Sequence, residues 1–205
     1  MSYYNTNKIL ILFAHPAVQK SRVNKRLIEP ITKLEGVTFH DLYEHYPDFH
    51  IDVEKEKELL VEHDIIILNH PFYWYSSPAI IKEWEDLVLE FGFAYGPDGT
   101  ALDGKKIMNV ISTGASSEAY KREGHNKYTI REFLRPFEQT ANLCRMTYLP
   151  PLVVYDAINI NVNLDLHYYV ELYSNMILSL RDGKIDINKV LEFEYMNDYF
   201  MDQGK

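Results

Sequence analysis

The chain has 205 residues, 46% of them apolar and 25% charged, which fits a single globular domain able to bury a core and excludes disordered, collagen-like and low-complexity classes. Its formal charge of −9, with 21 Lys and Arg dispersed along the chain, argues against nucleic-acid phosphates and anionic lipid surfaces as partners. The first apolar run, Ile9 to Ala14, is too short to span a bilayer and follows no basic leader, so a cytoplasmic protein without direct membrane insertion is expected.

Lys8 to Ala14 reads as a strand buried on both faces, as a parallel sheet requires. Val23, Leu27, Ile28, Ile31 and Leu34 then recur at helical spacing, with Ser21 placed to cap the helix and Gly36 just beyond its end. Val37 to Leu42 alternates weakly and reads as a second, edge strand. A turn at Tyr46-Pro47-Asp48 and an acidic helix from Glu54 to Glu62 follow. Asp64 to Asn69, built on Ile65-Ile66-Ile67-Leu68, is the clearest strand. Ser77-Pro78 opens a helix whose apolar stripe of Ile80, Ile81, Trp84, Leu87, Val88 and Phe91 faces the core.

Residues 92–104 form an irregular loop, and Lys106 to Thr113 is the fourth strand. A helix within Tyr128 to Leu143 is bent or broken at Pro136; Pro151 to Tyr155 is the fifth strand and Leu164 to Leu180 the last long helix. Strand and helix thus alternate five times, calling for an α/β fold with a parallel sheet covered on both sides. The tail from Lys184 carries Phe193, Tyr195, Met196, Tyr199 and Phe200 and is expected to add a helix against the body or a second subunit. The lone Cys144 can form no internal disulfide and reads as a buried, inert thiol. His40, His45 and His50 do not share a helix face and read as surface residues, and no metal site is expected.

In an open α/β sheet, ligands bind beyond the carboxyl ends of the strands, which here means the loops after strands one, three and four. The first, His15 to Asn24, ends at a helix start, where free N–H groups and the helix dipole suit an anion; Ser21 reads equally well as a plain cap. The second sets Phe72, Tyr73, Trp74 and Tyr75 in a row, and since four adjacent rings cannot all face a core, some call for a flat ligand or a partner. The third offers Thr113, Gly114, Ser116, Ser117, Tyr120 and His125 as hydrogen-bonding groups, though a Ser/Gly-rich surface loop is the commoner meaning of such a stretch. No dinucleotide fingerprint or Walker-type loop occurs.

With His15-Pro16, Ser21 and Asn24, the run Pro71 to Pro78, the segment Gly92 to Gly96 and Leu149-Pro150-Pro151, the stretch from Lys8 to Pro151 resembles the flavodoxin-fold NAD(P)H:quinone oxidoreductases. That family includes DT-diaphorase-like enzymes, general stress flavoproteins and ancillary flavoproteins of potassium-efflux systems. The resemblance implies a three-layer sandwich with a five-stranded parallel sheet in the order 2-1-3-4-5. It implies a flavin-binding domain over residues 1–183 with residues 184–205 as an extension. It also implies bound FMN, or FAD, with NAD(P)H as co-substrate and a quinone-like small molecule as electron acceptor in a ping-pong cycle.

By the same resemblance His15, Ser21, Arg22, Val23 and Asn24 hold the flavin phosphate, Phe72, Tyr73, Trp74 and Tyr75 line the isoalloxazine, and Thr113, Gly114, Ala115 and Ser116 reach its pyrimidine edge. Relatives often have Thr-Gly-Gly at the third loop, where this chain has Gly114-Ala115-Ser116. Tyr120 and His125 are the catalytic candidates, as donors to charge on the reduced ring. The resemblance further implies a homodimer and admits a membrane-transporter partner. Two rivals stand beside the enzyme: a flavodoxin-type electron carrier and a regulatory subunit of a glutathione-gated potassium-efflux system. A phosphoacceptor receiver domain is rejected, because Ala14-His15 and Asn69-His70 stand where it needs acids.

Overall fold

The computed structural model describes residues 6–161 and 165–203. Strands β1 (Ile9–Phe13), β2 (Val37–Asp41), β3 (Ile65–Pro71) and β4 (Lys106–Ser112) pair in parallel, and two short strands, β5 (Thr147–Tyr148) and β6 (Leu152–Val154), both pair with β4. The order is β2-β1-β3-β4-β5, the one expected, with β6 along the same edge. The fifth strand expected over Pro151 to Tyr155 is present as β6, and β5 is an added two-residue strand ahead of it, set apart because Pro150 and Pro151 carry no N–H for the ladder. The pairing shifts by one residue between Ile107↔Tyr148 and Val110↔Leu152, so the chain bulges there and re-aims β6.

Alternate side chains of each strand enter opposite cores. Leu10, Leu12, Ile66, Leu68, Ile107 and Ile111 pack on one side with α4 (Ala79–Val88) and α6 (Arg135–Leu143); Ile9, Ile11, Ile65, Ile67, Met108 and Val110 pack on the other with α1 (Arg22–Ile28) and α7 (Asp165–Arg181). Each fully buried Leu or Ile contributes about 1.5–3 kcal/mol, which makes β1 and β3 the energetic centre of the fold.

Several elements differ from expectation for identifiable reasons. Helix α1 stops at Ile28 rather than near Leu34, because Pro30 removes a helical N–H and turns follow (Ile31 N to Ile28 O, 3.1 Å). Asp41 ends β2 by accepting from the N–H groups of Tyr43 (3.0 Å) and Glu44 (3.3 Å), which starts a short helix, α2 (Leu42–His45), that the sequence did not signal, ahead of the expected turn at Pro47-Asp48. The acidic helix is α3 (Val53–Glu62), capped by Asp52. Helix α4 ends at Val88, and with Gly92 at φ +84° the chain turns away. Phe91, read as core, is therefore 70% exposed, whereas Trp84 is buried as expected. The helix around Pro136 is broken into α5 (Ile130–Phe133) and α6, with Pro136 in the first turn of α6.

His40, read as a surface residue, is buried. Its Nε2 lies 2.7 Å from Oε1 of Glu56, itself fully buried on α3. The Tyr46 hydroxyl donates to the same oxygen (2.6 Å) and Trp84 Nε1–H to Oε2 (2.8 Å), so one carboxylate joins β2, the turn just after α2, α3 and α4. Burial pushes the Glu56 pKa up, but these hydrogen bonds and the His40 charge outweigh it and leave the group below the ordinary carboxylate range.

The last helices, α8 (Ile187–Val190) and α9 (Met196–Gln203), lie on the chain's own body: Val190, Met196 and Tyr199 join the core shared by α1 and α7. Asn197 pairs twice with β6, accepting from Val153 N (2.9 Å) and donating to Val153 O (2.9 Å), which occupies the free edge of that strand. The expected start of the last long helix, Leu164, lies outside the described residues, as do the outermost residues of segments 1–183 and 184–205. No helix among the described residues is long and apolar enough to cross a membrane, and no group of metal-binding side chains occurs among them.

Candidate functional site

A cleft of about 600 Å³ opens at the carboxyl ends of β1, β3 and β4, where an open parallel sheet places its ligands. Its walls are His15, Ala17, Lys20, Ser21, Arg22, Val23 and Asn24 from the first loop, Pro71, Phe72 and Tyr73 from the second, Ser112, Thr113 and Gly114 from the third, and Ala157 and Ile158 from the loop after β6. Lys20 and Arg22 are there and no Asp or Glu is, although the chain as a whole carries −9. The cleft is thus locally inverted in charge, which favours an anion.

The first loop is shaped by its own side chains. Ser21 caps α1, its Oγ accepting from Asn24 N (3.1 Å) and Asn24 Nδ2 (3.0 Å). Asn24 is buried and spends its amide inward, with Nδ2 donating to Ser112 Oγ (3.0 Å) and Oδ1 accepting from it (3.3 Å). Asn24 therefore fixes the loop to β4 rather than offering its amide to the cleft. Ser21 retains its hydroxyl proton, and helix geometry leaves the N–H groups of Arg22 and Val23 without an intrahelical acceptor. His15 Nδ1 accepts from Ala17 N (3.1 Å), so in the neutral ring the proton sits on Nε2, and burial holds its pKa below the usual histidine value. His15 is thereby a neutral donor. Arg22 reaches across to the carbonyl of Ile158 (3.1 Å).

In the second loop Phe72 faces inward, packed among Tyr75, Tyr120 and Phe133. Tyr73, Trp74 and Tyr75 stand outside at 43%, 94% and 49% exposure. Ser76 N bonds Tyr73 O (3.0 Å) across a tight turn whose central residues, Trp74 (φ +50°) and Tyr75 (φ +63°), both adopt left-handed backbone. That conformation costs roughly 1–2 kcal/mol per non-glycine residue, so the surroundings must hold the turn. Of the four rings, Phe72 and Tyr73 line the cleft; Trp74 and Tyr75 stand beyond it, Tyr75 stacked on Phe133 (5.1 Å).

The third loop is tied to the loop after β6. Thr113 N bonds Val154 O (2.9 Å), Asp156 N bonds Ala115 O (3.0 Å) and Ala157 N bonds Thr113 O (2.9 Å), while Thr113 Oγ1 donates to Ala115 O (2.8 Å). Gly114 has Ile158 over it, where an added Cβ would meet Ile158 Cδ1 at 3.1 Å. Thr113 and Gly114 line the main cleft; Ser116 opens instead onto a neighbouring hollow of about 440 Å³ with Ser117, Tyr155, Asp156 and Tyr169. Tyr120 is buried behind Thr113, with which its hydroxyl pairs, and burial pushes its pKa up. His125 is exposed, makes no hydrogen bond among the described residues and lines neither hollow.

The cleft thus gathers His15, Ser21, Arg22, Val23, Asn24, Phe72, Tyr73, Thr113 and Gly114, and leaves Trp74, Tyr75, Ala115, Ser116, Tyr120 and His125 outside its walls. Sequence reasoning did not single out Ala17, Lys20, Pro71, Ser112, Ala157 and Ile158. Ser112 was marked by being polar at the end of an apolar strand. Ala157 and Ile158 follow from applying the strand-end rule to the fifth strand as well.

Comparison with known proteins places this geometry. Residues 7–174 match the family model described as flavodoxin-like fold. The chain is 52% identical over 148 residues to the glutathione-regulated potassium-efflux system ancillary protein KefG of Pectobacterium carotovorum, covering 72% of this chain and 81% of that protein. Among solved structures, the FMN complex of general stress protein 14 from Treponema denticola is 36% identical with a TM-score of 0.74, covering 82% of this chain and 99% of that one. An NADPH-quinone reductase from P. pentosaceus is 35% identical with a TM-score of 0.76, covering 83% and 97%. A chain described as a thermophilic tryptophan halogenase from Streptomycin violaceusniger is 46% identical with a TM-score of 0.80, covering 82% and 98%. The likeness expected from the three loops is the likeness found, and the chain belongs to the flavodoxin-like fold family.

Proposed function

We propose that this chain is a cytoplasmic flavin-dependent NAD(P)H oxidoreductase that uses FMN, with FAD as the alternative, and passes electrons to a quinone-like small molecule. The observation that carries the reading is the cleft itself. It is basic and free of carboxylates on an acidic chain, lies at the ends of β1, β3 and β4, and has aromatic rings at its side. When bound, the flavin supplies the two-electron chemistry between nicotinamide and acceptor.

The residues present fit such a group. Lys20, Arg22, the Ser21 hydroxyl and the first N–H groups of α1 receive a phosphate, with His15 Nε2–H as a neutral donor beside them. Phe72 and Tyr73 flank a flat ring, and Trp74 and Tyr75 stand where they can shield its outer face from water. The backbone of Thr113 and Gly114 would meet the polar edge of that ring, with Thr113 held by Ala115 and backed by Tyr120, while Ala115 and Ser116 lie beyond the cleft wall. Tyr120, its phenol kept protonated by burial, braces Thr113 and so the backbone at that edge, where negative charge would develop; His125 serves only if the loop carrying it folds toward the cleft. We read residues 1–183 as the flavin-binding unit and residues 184–205 as its extension, and the protein as a homodimer.

The identity to a potassium-efflux ancillary protein favours a second reading, in which the same flavoprotein docks on a membrane transporter. The first test is an absorbance spectrum after loading with FMN or FAD and removing the excess, followed by anaerobic NADH or NADPH and then benzoquinone. Bleaching and recovery support the oxidoreductase. Bound flavin that no nicotinamide bleaches favours the carrier or ancillary reading, which co-purification with a potassium-efflux transporter then tests. No bound flavin overturns the site.

A further inference from the structure

Behind the aromatic turn lies a chain of buried polar groups that no step above uses. Tyr148 OH donates to Asn109 Oδ1 (2.6 Å), Asn109 Nδ2 meets His70 Nε2 (3.0 Å), and His70 Nδ1 meets the carbonyl of Pro71 (3.0 Å). All three side chains are buried, His70 completely. The proton directions are determined. The Pro71 carbonyl can only accept, so Nδ1 must carry the proton of a neutral ring; the Asn109 amide nitrogen then faces His70 and its Oδ1 takes the Tyr148 proton. His70 Nε2 accepts from that nitrogen while Nδ1 donates to Pro71 O. A second proton would charge a fully buried ring and oppose the Asn109 N–H, so the imidazole is neutral.

Pro71 ends β3 and lines the cleft, and its carbonyl also accepts from Tyr73 N (3.1 Å). Across the same peptide, Phe72 N donates to Ser112 O (2.8 Å). The Pro71–Phe72 peptide is thereby held at both ends immediately before the two left-handed residues Trp74 and Tyr75.

We propose that His70 is a positioning residue: through its Nδ1 bond to Pro71 it sets the peptide plane from which the strained Tyr73–Ser76 turn springs, and so holds the aromatic side of the cleft ready for a flat ligand. For FMN this rests on the flavin reading above; for the turn it stands on geometry alone.

The test separates a donor to Pro71 from a mere filler of the core. His70→Asn places an amide N–H near Nδ1 and keeps the Pro71 bond while losing the acceptor for Asn109. His70→Gln reaches Asn109 but cannot serve Pro71. His70→Leu does neither. In a Trp84→Phe background Trp74 is the remaining tryptophan, so the fluorescence anisotropy of the flavin-free protein reports the turn directly, and flavin fluorescence quenching gives the FMN dissociation constant.

The Gln and Leu variants are expected to lower the Trp74 anisotropy and weaken FMN binding by about tenfold, the equivalent of one hydrogen bond, while Asn keeps both near the parent. Tyr148→Phe breaks the far end of the chain and is expected to lower the melting temperature while leaving the anisotropy unchanged. Equal anisotropy across the His70 variants, or equal losses in Asn and Gln, overturns the proposal. If the parent binds no FMN, the flavin reading fails, and the anisotropy series still decides the role of His70.

Discussion

Replacing Glu56 should expose how much of this fold hangs on one buried acid. Glu56→Ala strips the acceptor from His40, Tyr46 and Trp84 at once in a place water does not reach. Removing one side of a buried charged network costs about 3–5 kcal/mol, and for a domain of this size about 2–4 °C of melting temperature is lost per kcal/mol, so a fall on the order of 10 °C is expected. Glu56→Gln keeps the shape but turns an N–H toward donors on one side, at about 1–3 kcal/mol. Urea unfolding followed by the emission of buried Trp84 measures both. Because the folded carboxyl lies below its ordinary 4.5, the anion's contribution is fully present above pH 4.5 and fades as acid protonates the folded group. The gap between parent and Glu56→Gln should therefore close on acidification. A Glu56→Gln protein as stable as the parent at pH 7, or a gap that widens in acid, would refute the anchoring role.

Two further outcomes follow from the same reasoning. His70 is fully buried, and burial lowers its pKa from 6.5 to about 4, so the unfolded chain takes up a proton that the folded one refuses. Stability is intact above pH 6.5 and should fall by about 3 kcal/mol as pH drops from there to 4; thermal melts of parent and His70→Asn across that range should differ in slope by this amount, and parallel slopes contradict it. Asn197→Ala unpairs both backbone groups of Val153 and should cost about 2 kcal/mol, or about 4–8 °C in calorimetry, with an unchanged melting temperature showing that water replaces the side chain freely.

The strands and the strand-end loops were legible because burial on both faces leaves an unmistakable record: Ile65 to Leu68 can be little else, and the polar residues that interrupt such runs mark the ends where ligands gather. What escaped depends on partners distant in sequence. Nothing local says that His40 will meet Glu56, or that an apolar stripe running to Phe91 will be cut at Val88 by a left-handed glycine four residues on. The first-loop cleft residues were visible as a set, but the inward turn of Asn24 was not, because its partner Ser112 lies far along the chain at the end of β4. The separation of the added β5 from β6 is written in Pro150-Pro151, which carry the family resemblance and, at Pro151, open the expected fifth strand, but which also break the ladder.

The two asparagines at the centre of the sheet bear on a different problem, that of choosing among near-equal misfolded states. β3 and β4 are so uniformly apolar that sliding one past the other would cost little in burial. Asn69 on β3 and Asn109 on β4 remove that freedom. The first accepts from Tyr173 on the α7 side and donates to Val110 O; the second accepts from Tyr148 on the opposite side. Because neighbouring residues of a strand face opposite ways, a slip by one place would drive each amide into the wrong core, away from its tyrosine, at about 1–3 kcal/mol apiece. Two polar residues thus let an otherwise interchangeable pair of strands recognise a single alignment.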